Sequence, residues 1–151
     1  MIMQLIAAVI GTVTFCILFE VPRRYYPMCG FIGGAGWAVY LLAGQLVSTA
    51  TACLFATMVI IFLSRLAAVL EKCPATIFLI AGIFPLVPGG SVYWMAYYMV
   101  KSRPYLALNY GYTAVKFAAA IVIGIVVIFE IPQTLFTRIA DLPGIRRLKV
   151  H

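Results

Sequence analysis

Six consecutive residues, Pro85-Leu86-Val87-Pro88-Gly89-Gly90, interrupt an apolar run of membrane-spanning length from Ile77 to Val100. In an unbroken helix Pro85 would leave the carbonyl of Ala81 without its partner and Pro88 that of Phe84, while Gly89 and Gly90 release the backbone around them. Irregular backbone is tolerated at membrane depth only where protein buries it or where it lines a water-filled cavity. At about 1.5 Å per residue, Pro88 lies about 16 Å from Ile77, near the middle of a hydrocarbon core about 30 Å thick. Ser91, with the freed amides of Gly89 and Gly90, would form the N-terminus of a second half-helix, whose partial positive charge favours an anion such as a carboxylate. A proline kink used only for packing is the plain alternative. Discontinuous helices at the midplane are where many secondary transporters hold their cargo.

Beyond the break, Gly90, Tyr93, Tyr97 and Lys101 follow helical spacing, which predicts a stripe of ring hydroxyls ending in a cation. The stripe could line a path; equally, these rings could form an interfacial belt with Lys101 reaching outward. Glu20 and Glu130 fall near the ends of their apolar runs, where they could relay protons or sit solvated among headgroups. Arg23 or Arg24 is the expected partner of Glu20. Lys116 is expected near the outer start of the last span, either in the pathway or reaching to the boundary.

The elements that must position these groups follow from composition. The 151 residues are 65% hydrophobic and 10% charged, with mean hydropathy +1.09, which defines an all-α integral membrane protein rather than a soluble domain. The net charge of +7 is concentrated in short segments between apolar runs, so topology accounts for it and no nucleic-acid partner is expected. Cys16, Cys29, Cys53 and Cys73 show no CxxC spacing and His151 is the only histidine, so no metal and no cofactor is expected and the thiols read as packing groups. The start of the chain lacks the positive n-region of a signal peptide and is expected to remain as the first span.

Hydropathy predicts about five spans, near 3–19, 28–46, 49–63, 77–100 and 113–131, the fourth broken at Pro85-Gly90. Four spans, with the second and third runs as one re-entrant hairpin, is the alternative. One membrane domain, 1–151, is expected to fill the chain. Under five spans, eight of the eleven basic residues (Arg23, Arg24, Arg65, Lys72, Arg138, Arg146, Arg147 and Lys149) fall on one side, leaving Lys101, Arg103 and Lys116 on the other. The positive-inside rule then places the N-terminus outside and the C-terminus in the cytoplasm, in the cytoplasmic membrane. Gly30, Gly33, Gly34 and Gly36 in the second span, and Ala118, Ala119, Ala120 and Gly124 in the fifth, predict faces where helices approach closely.

Pro74-Ala75-Thr76-Ile77-Phe78, then Ala81-Gly82-Ile83-Phe84-Pro85-Leu86-Val87-Pro88-Gly89-Gly90-Ser91-Val92-Tyr93, resembles the membrane-domain signature of the threonine/serine exporter family. Phe19-Glu20-Val21-Pro22-Arg23 and Ser64-Arg65 extend the likeness over most of the chain. The motif positions are Pro74, Gly82, Pro85, Pro88, Gly89 and Tyr93, and the residues expected to contact cargo are Pro85, Pro88, Gly89, Gly90, Ser91 and Tyr93. Family members are about twice as long, and the chain resembles their C-terminal half, or the small subunit of the two-component succinate exporter. The resemblance implies export of a small carboxylated metabolite, an amino acid or a dicarboxylate, with a larger separate subunit or a second copy supplying the rest. A regulatory subunit that only stabilises a larger transporter is the alternative. No HExxH, GxSxG or aspartate cluster points to an enzyme.

Overall fold

A computed structural model describes residues 2–140, and these form an all-helical bundle without strands. The helices are α1 (Ile2–Leu18), α2 (Tyr26–Ala43), α3 (Thr49–Glu71), α4 (Thr76–Ile83), α5 (Gly89–Val100), α6 (Pro104–Phe129) and α7 (Gln133–Ala140). Two 3-10 turns, Arg23–Tyr25 and Phe84–Leu86, lead into α2 and out of α4. The expectations for Arg146, Arg147, Lys149 and His151 concern positions outside the described residues.

Local chemistry sets the boundaries. Pro27 and Pro104 occupy the first turns of α2 and α6, where a missing N–H costs nothing. The Ser48 hydroxyl accepts from the Thr51 N–H to cap α3, and Lys72, in left-handed conformation at φ 53°, ends it two residues before Pro74.

Three segments, Arg23–Ala43, Thr49–Glu71 and Pro104–Phe129, are each long and apolar enough to cross a membrane, and the bent pair Thr76–Leu86 with Gly89–Val100 makes a fourth span. With the shorter apolar α1 (Ile2–Leu18), this agrees with about five transmembrane helices, and α2 and α3 are separate rods rather than one re-entrant hairpin. Two boundaries differ from hydropathy. The third helix runs on past Leu63 to Glu71, because the charge of Arg65 is absorbed inside the bundle. The last long helix starts at Pro104 rather than Thr113, since Tyr105, Asn109, Tyr110 and Tyr112 lower the hydropathy of its first turns without breaking the helix.

Packing uses the predicted small residues. A Cβ at Gly33 would collide with the Thr12 side chain, one at Gly34 would stand 2.7 Å from Val9, and one at Gly36 would overlap Ile60, so α2 lies close to both α1 and α3. At Gly124 a Cβ would meet Thr57 at 3.0 Å, the α6–α3 crossing. Ala120 is buried beside this contact, whereas Ala118 and Ala119 are exposed on the outer side of α6. Cys16, Cys29 and Cys53 are fully buried in the core with Ile32, Ile60 and Phe78.

Candidate functional site

The break is built at Val87-Pro88. A proline ring disfavours the helical region for the residue before it, and Val87 before Pro88 is extended at ψ 129°, whereas Phe84 before Pro85 stays helical. The chain turns there by 50° between the two half-helices. Pro88 precedes α5 with φ −77° and ψ 50° and supplies no side-chain cap. The Phe84 carbonyl, expected to be orphaned, accepts from the Val87 N–H at 3.1 Å, so the 3-10 turn repairs that loss. The Gly89 N–H is taken by the Val87 carbonyl at 2.7 Å, leaving the first-turn amides of Gly90 and Ser91 at the mouth of α5.

No glycine among the described residues has positive φ, so the prolines make the break and the glycines do not. Gly89 and Gly90 contribute space instead: a Cβ at either would meet nothing within 4 Å.

A hollow of about 180 Å³ lies at the bend, lined by Pro85, Pro88, Gly90 and Ser91, with Trp37 and Tyr40 from α2 and Phe117 from α6. A second hollow of about 270 Å³, also lined by Trp37 and Pro85, reaches Gln4 and Gly11 of α1. Trp37 and Pro85 therefore border both spaces. The indole Nε1 of Trp37 is buried with no protein acceptor in reach. Its ring lies 5.1 Å from that of Tyr40, which in turn stands 6.3 Å from Phe117, an aromatic chain joining α2 to α6.

Of the six residues expected to hold cargo, Pro85, Pro88, Gly90 and Ser91 line the first hollow, whereas Gly89 and Tyr93 do not. Tyr93 is 62% exposed on the outer surface of α5, stacked on Tyr97 at 6.5 Å. The Lys101 Nζ stands 5.9 Å from the Tyr97 ring centre. The stripe exists as one face of α5, and only Gly90 of it lines the hollow. Trp94, Tyr98 and Tyr110 stack beside it and tie α5 to α6.

Glu20 is exposed in left-handed conformation at φ 54° and borders a separate hollow of about 250 Å³ with Thr76 and Ile80. Arg24 does not pair with it; the guanidinium meets Glu71 at 3.0 Å instead, because the 3-10 turn carries Arg24 toward the end of α3. Glu130 is the exposed C-cap of α6. Lys116 is displaced furthest from expectation. With α6 starting at Pro104 it sits at the centre of the helix, exposed, its Nζ 4.1 Å from the centre of the Tyr112 ring.

Sequence reasoning missed Gln4, Trp37, Tyr40 and Phe117. One signal was available: Trp37 carries an N–H donor that needs a partner when buried, yet sits in a glycine-rich apolar run.

This architecture defines a polytopic membrane protein with one broken span. Residues 4–131 match the family model described as Threonine/Serine exporter, ThrE. The chain therefore belongs to the threonine/serine exporter family, a family of transporters, and its role is of the exporter type. No curated protein and no solved structure matches it.

Proposed function

We propose that this chain is the membrane subunit of a secondary exporter for a small carboxylated metabolite, threonine or serine or a dicarboxylate such as succinate. It works in the cytoplasmic membrane with a larger subunit of the same family. The observation that carries this reading is the bend at Val87-Pro88 and the hollow beside it, which Gly90 and Ser91 of the first turn of α5 line together with Trp37 and Pro85. Such amides, at the positive end of α5, suit a carboxylate.

Pro85, Pro88, Gly90 and Ser91, which line that hollow, hold the cargo in this reading. Tyr93, Tyr97 and Lys101 line its way out. Glu20, beside its own hollow, and Glu130 are the groups through which proton-motive force is coupled. The N-terminus faces outward and the C-terminus the cytoplasm, in line with Arg24, Arg65 and Lys72 gathering at one end of the bundle and Lys101 and Arg103 at the other.

The test is efflux from cells expressing the chain with its larger partner, with threonine, serine and succinate measured inside and outside. Gly90→Leu would fill open space, and Pro88→Ala would straighten the bend. Both variants should reach the membrane in normal amount and lose export of one of these acids. Normal export of all three by both variants would overturn the site, and export by the partner alone would make this chain a stabilising subunit.

A further inference from the structure

The inference concerns Lys116 and rests on the membrane setting, not on the cargo site. From Lys116 it is twelve residues to Pro104 and thirteen to Phe129, so its Cα lies about 18–20 Å from either end of a helix about 39 Å long. The Lys101 and Arg103 loop marks one end and Glu130 the other. With the bilayer centred on α6, a lysine side chain that reaches about 6 Å toward a boundary keeps its charge inside a core about 30 Å thick. A cation there requires an anionic or polar partner.

The described residues offer Lys116 the face of the Tyr112 ring at 4.1 Å but no carboxylate. Among the described residues the acids are Glu20, Glu71 and Glu130, and all three gather at one end of the bundle. Glu71 pairs with Arg24, four residues beyond Glu20, and Arg65 binds the Ile131 carbonyl, next to Glu130. Glu130 is fourteen residues from Lys116, about 20 Å along the helix. A second copy in the same orientation would bring those carboxylates to the same level, and an inverted copy would bring them to the opposite end, equally far away.

The surface around Lys116 has the form of a helix seat. Tyr112, Val115, Ala119, Val122 and Ile123 are exposed on the same side of α6. Ala119, one turn from the charge, allows a neighbouring backbone to come close. We propose that this face of α6 docks a membrane-spanning helix of a different polypeptide, one that carries a carboxylate at mid-depth and pairs it with Lys116.

The test places a photo-crosslinking amino acid at Ala119 or Ile123 of the full chain in its native cells, with Ile6 on α1 as a control position. Adducts should join the chain to one other polypeptide at an apolar segment containing Asp or Glu, and should be absent from position 6. Lys116→Glu should cut adduct yield at least tenfold, and exchanging the partner's acid for Lys should restore it. Lys116→Met, an apolar side chain suited to lipid, should lower the yield without burying a new charge. Adducts of twice the chain's own mass, adducts to lipid alone, or a yield unchanged in both Lys116 variants would overturn the proposal. Crosslinking does not require transport, so loss of efflux with adducts intact would count against the broken-span site and not against this face.

Discussion

Arg65 of α3 donates to the carbonyl of Ile131, just beyond α6, at 2.7 Å, and the same nitrogen reaches the Ile128 carbonyl at 2.6 Å. The guanidinium carbon also stands 4.3 Å from the centre of the Phe136 ring on α7. One side chain thus closes the end of α6, where helix carbonyls lack partners, and seats α7 against α3. Arg65→Ala should destabilise the protein by about 3 kcal/mol, from the lost charged hydrogen bonds and the ring contact. Lysine should restore less than half, because an ammonium cannot lie flat against Phe136 while holding both carbonyls. Thermal unfolding in lipid nanodiscs measures both.

Gly33 and Gly11 should respond in opposite ways to the same change. A Cβ at Gly33 runs into Thr12, whose hydroxyl is already committed to the Ala8 carbonyl at 2.8 Å, whereas a Cβ at Gly11 meets nothing. Gly33→Ala should cost about 1–3 kcal/mol by forcing α1 from α2. Gly11→Ala should be neutral or slightly stabilising, as expected for a helix glycine with free space. Limited proteolysis at the Glu20–Pro22 link should separate the two.

Trp37→Phe preserves most of the ring volume and deletes one buried, unpartnered donor. Stability should stay level or rise, since an unsatisfied donor is itself a cost. If the indole N–H serves the cargo, export should fall by tenfold or more in the same variant. Paired efflux and unfolding measurements check this, and unchanged export would remove Trp37 from the site.

The Arg24–Glu71 pair is open to its surroundings, with its side chains 62% and 37% exposed. Exposed pairs contribute little, so Arg24→Ala should change stability by less than about 1 kcal/mol. Its effect should fall on orientation instead, through loss of a positive charge at that end. Reporter fusions after Gln45 and His151 should report outside and cytoplasm, respectively, in the parent chain.

The helix break was legible because proline acts locally: Pro88 disfavours helical geometry at Val87 and withholds an N–H from the ladder. The glycine faces at Gly33, Gly36 and Gly124 were legible for a similar reason, since a missing side chain can be seen without knowing its neighbour. The start of α6 was hidden by residue averaging, in which four polar or hydroxyl-bearing side chains near Pro104 masked a continuous helix. Arg65 hid in the same way, its charge counted as exposed although carbonyls and rings absorb it. Tyr40 and Phe117 were out of reach and Trp37 was signalled only by its N–H donor, because their meeting at the bend depends on how α2, α4 and α6 cross and not on any spacing along the chain.

α5 has no buried residue and leans chiefly on α6, whereas α1 to α4 interlock through glycine contacts. Its lower end hangs on the extended Val87 link, so the segment resembles a door with one hinge post. Swinging it demands slippage of stacked rings against Tyr110 and of Met95 against Gly111, and leaves the glycine crossings among α1 to α4 untouched. A gate of that kind can open and shut without loosening the frame that holds it.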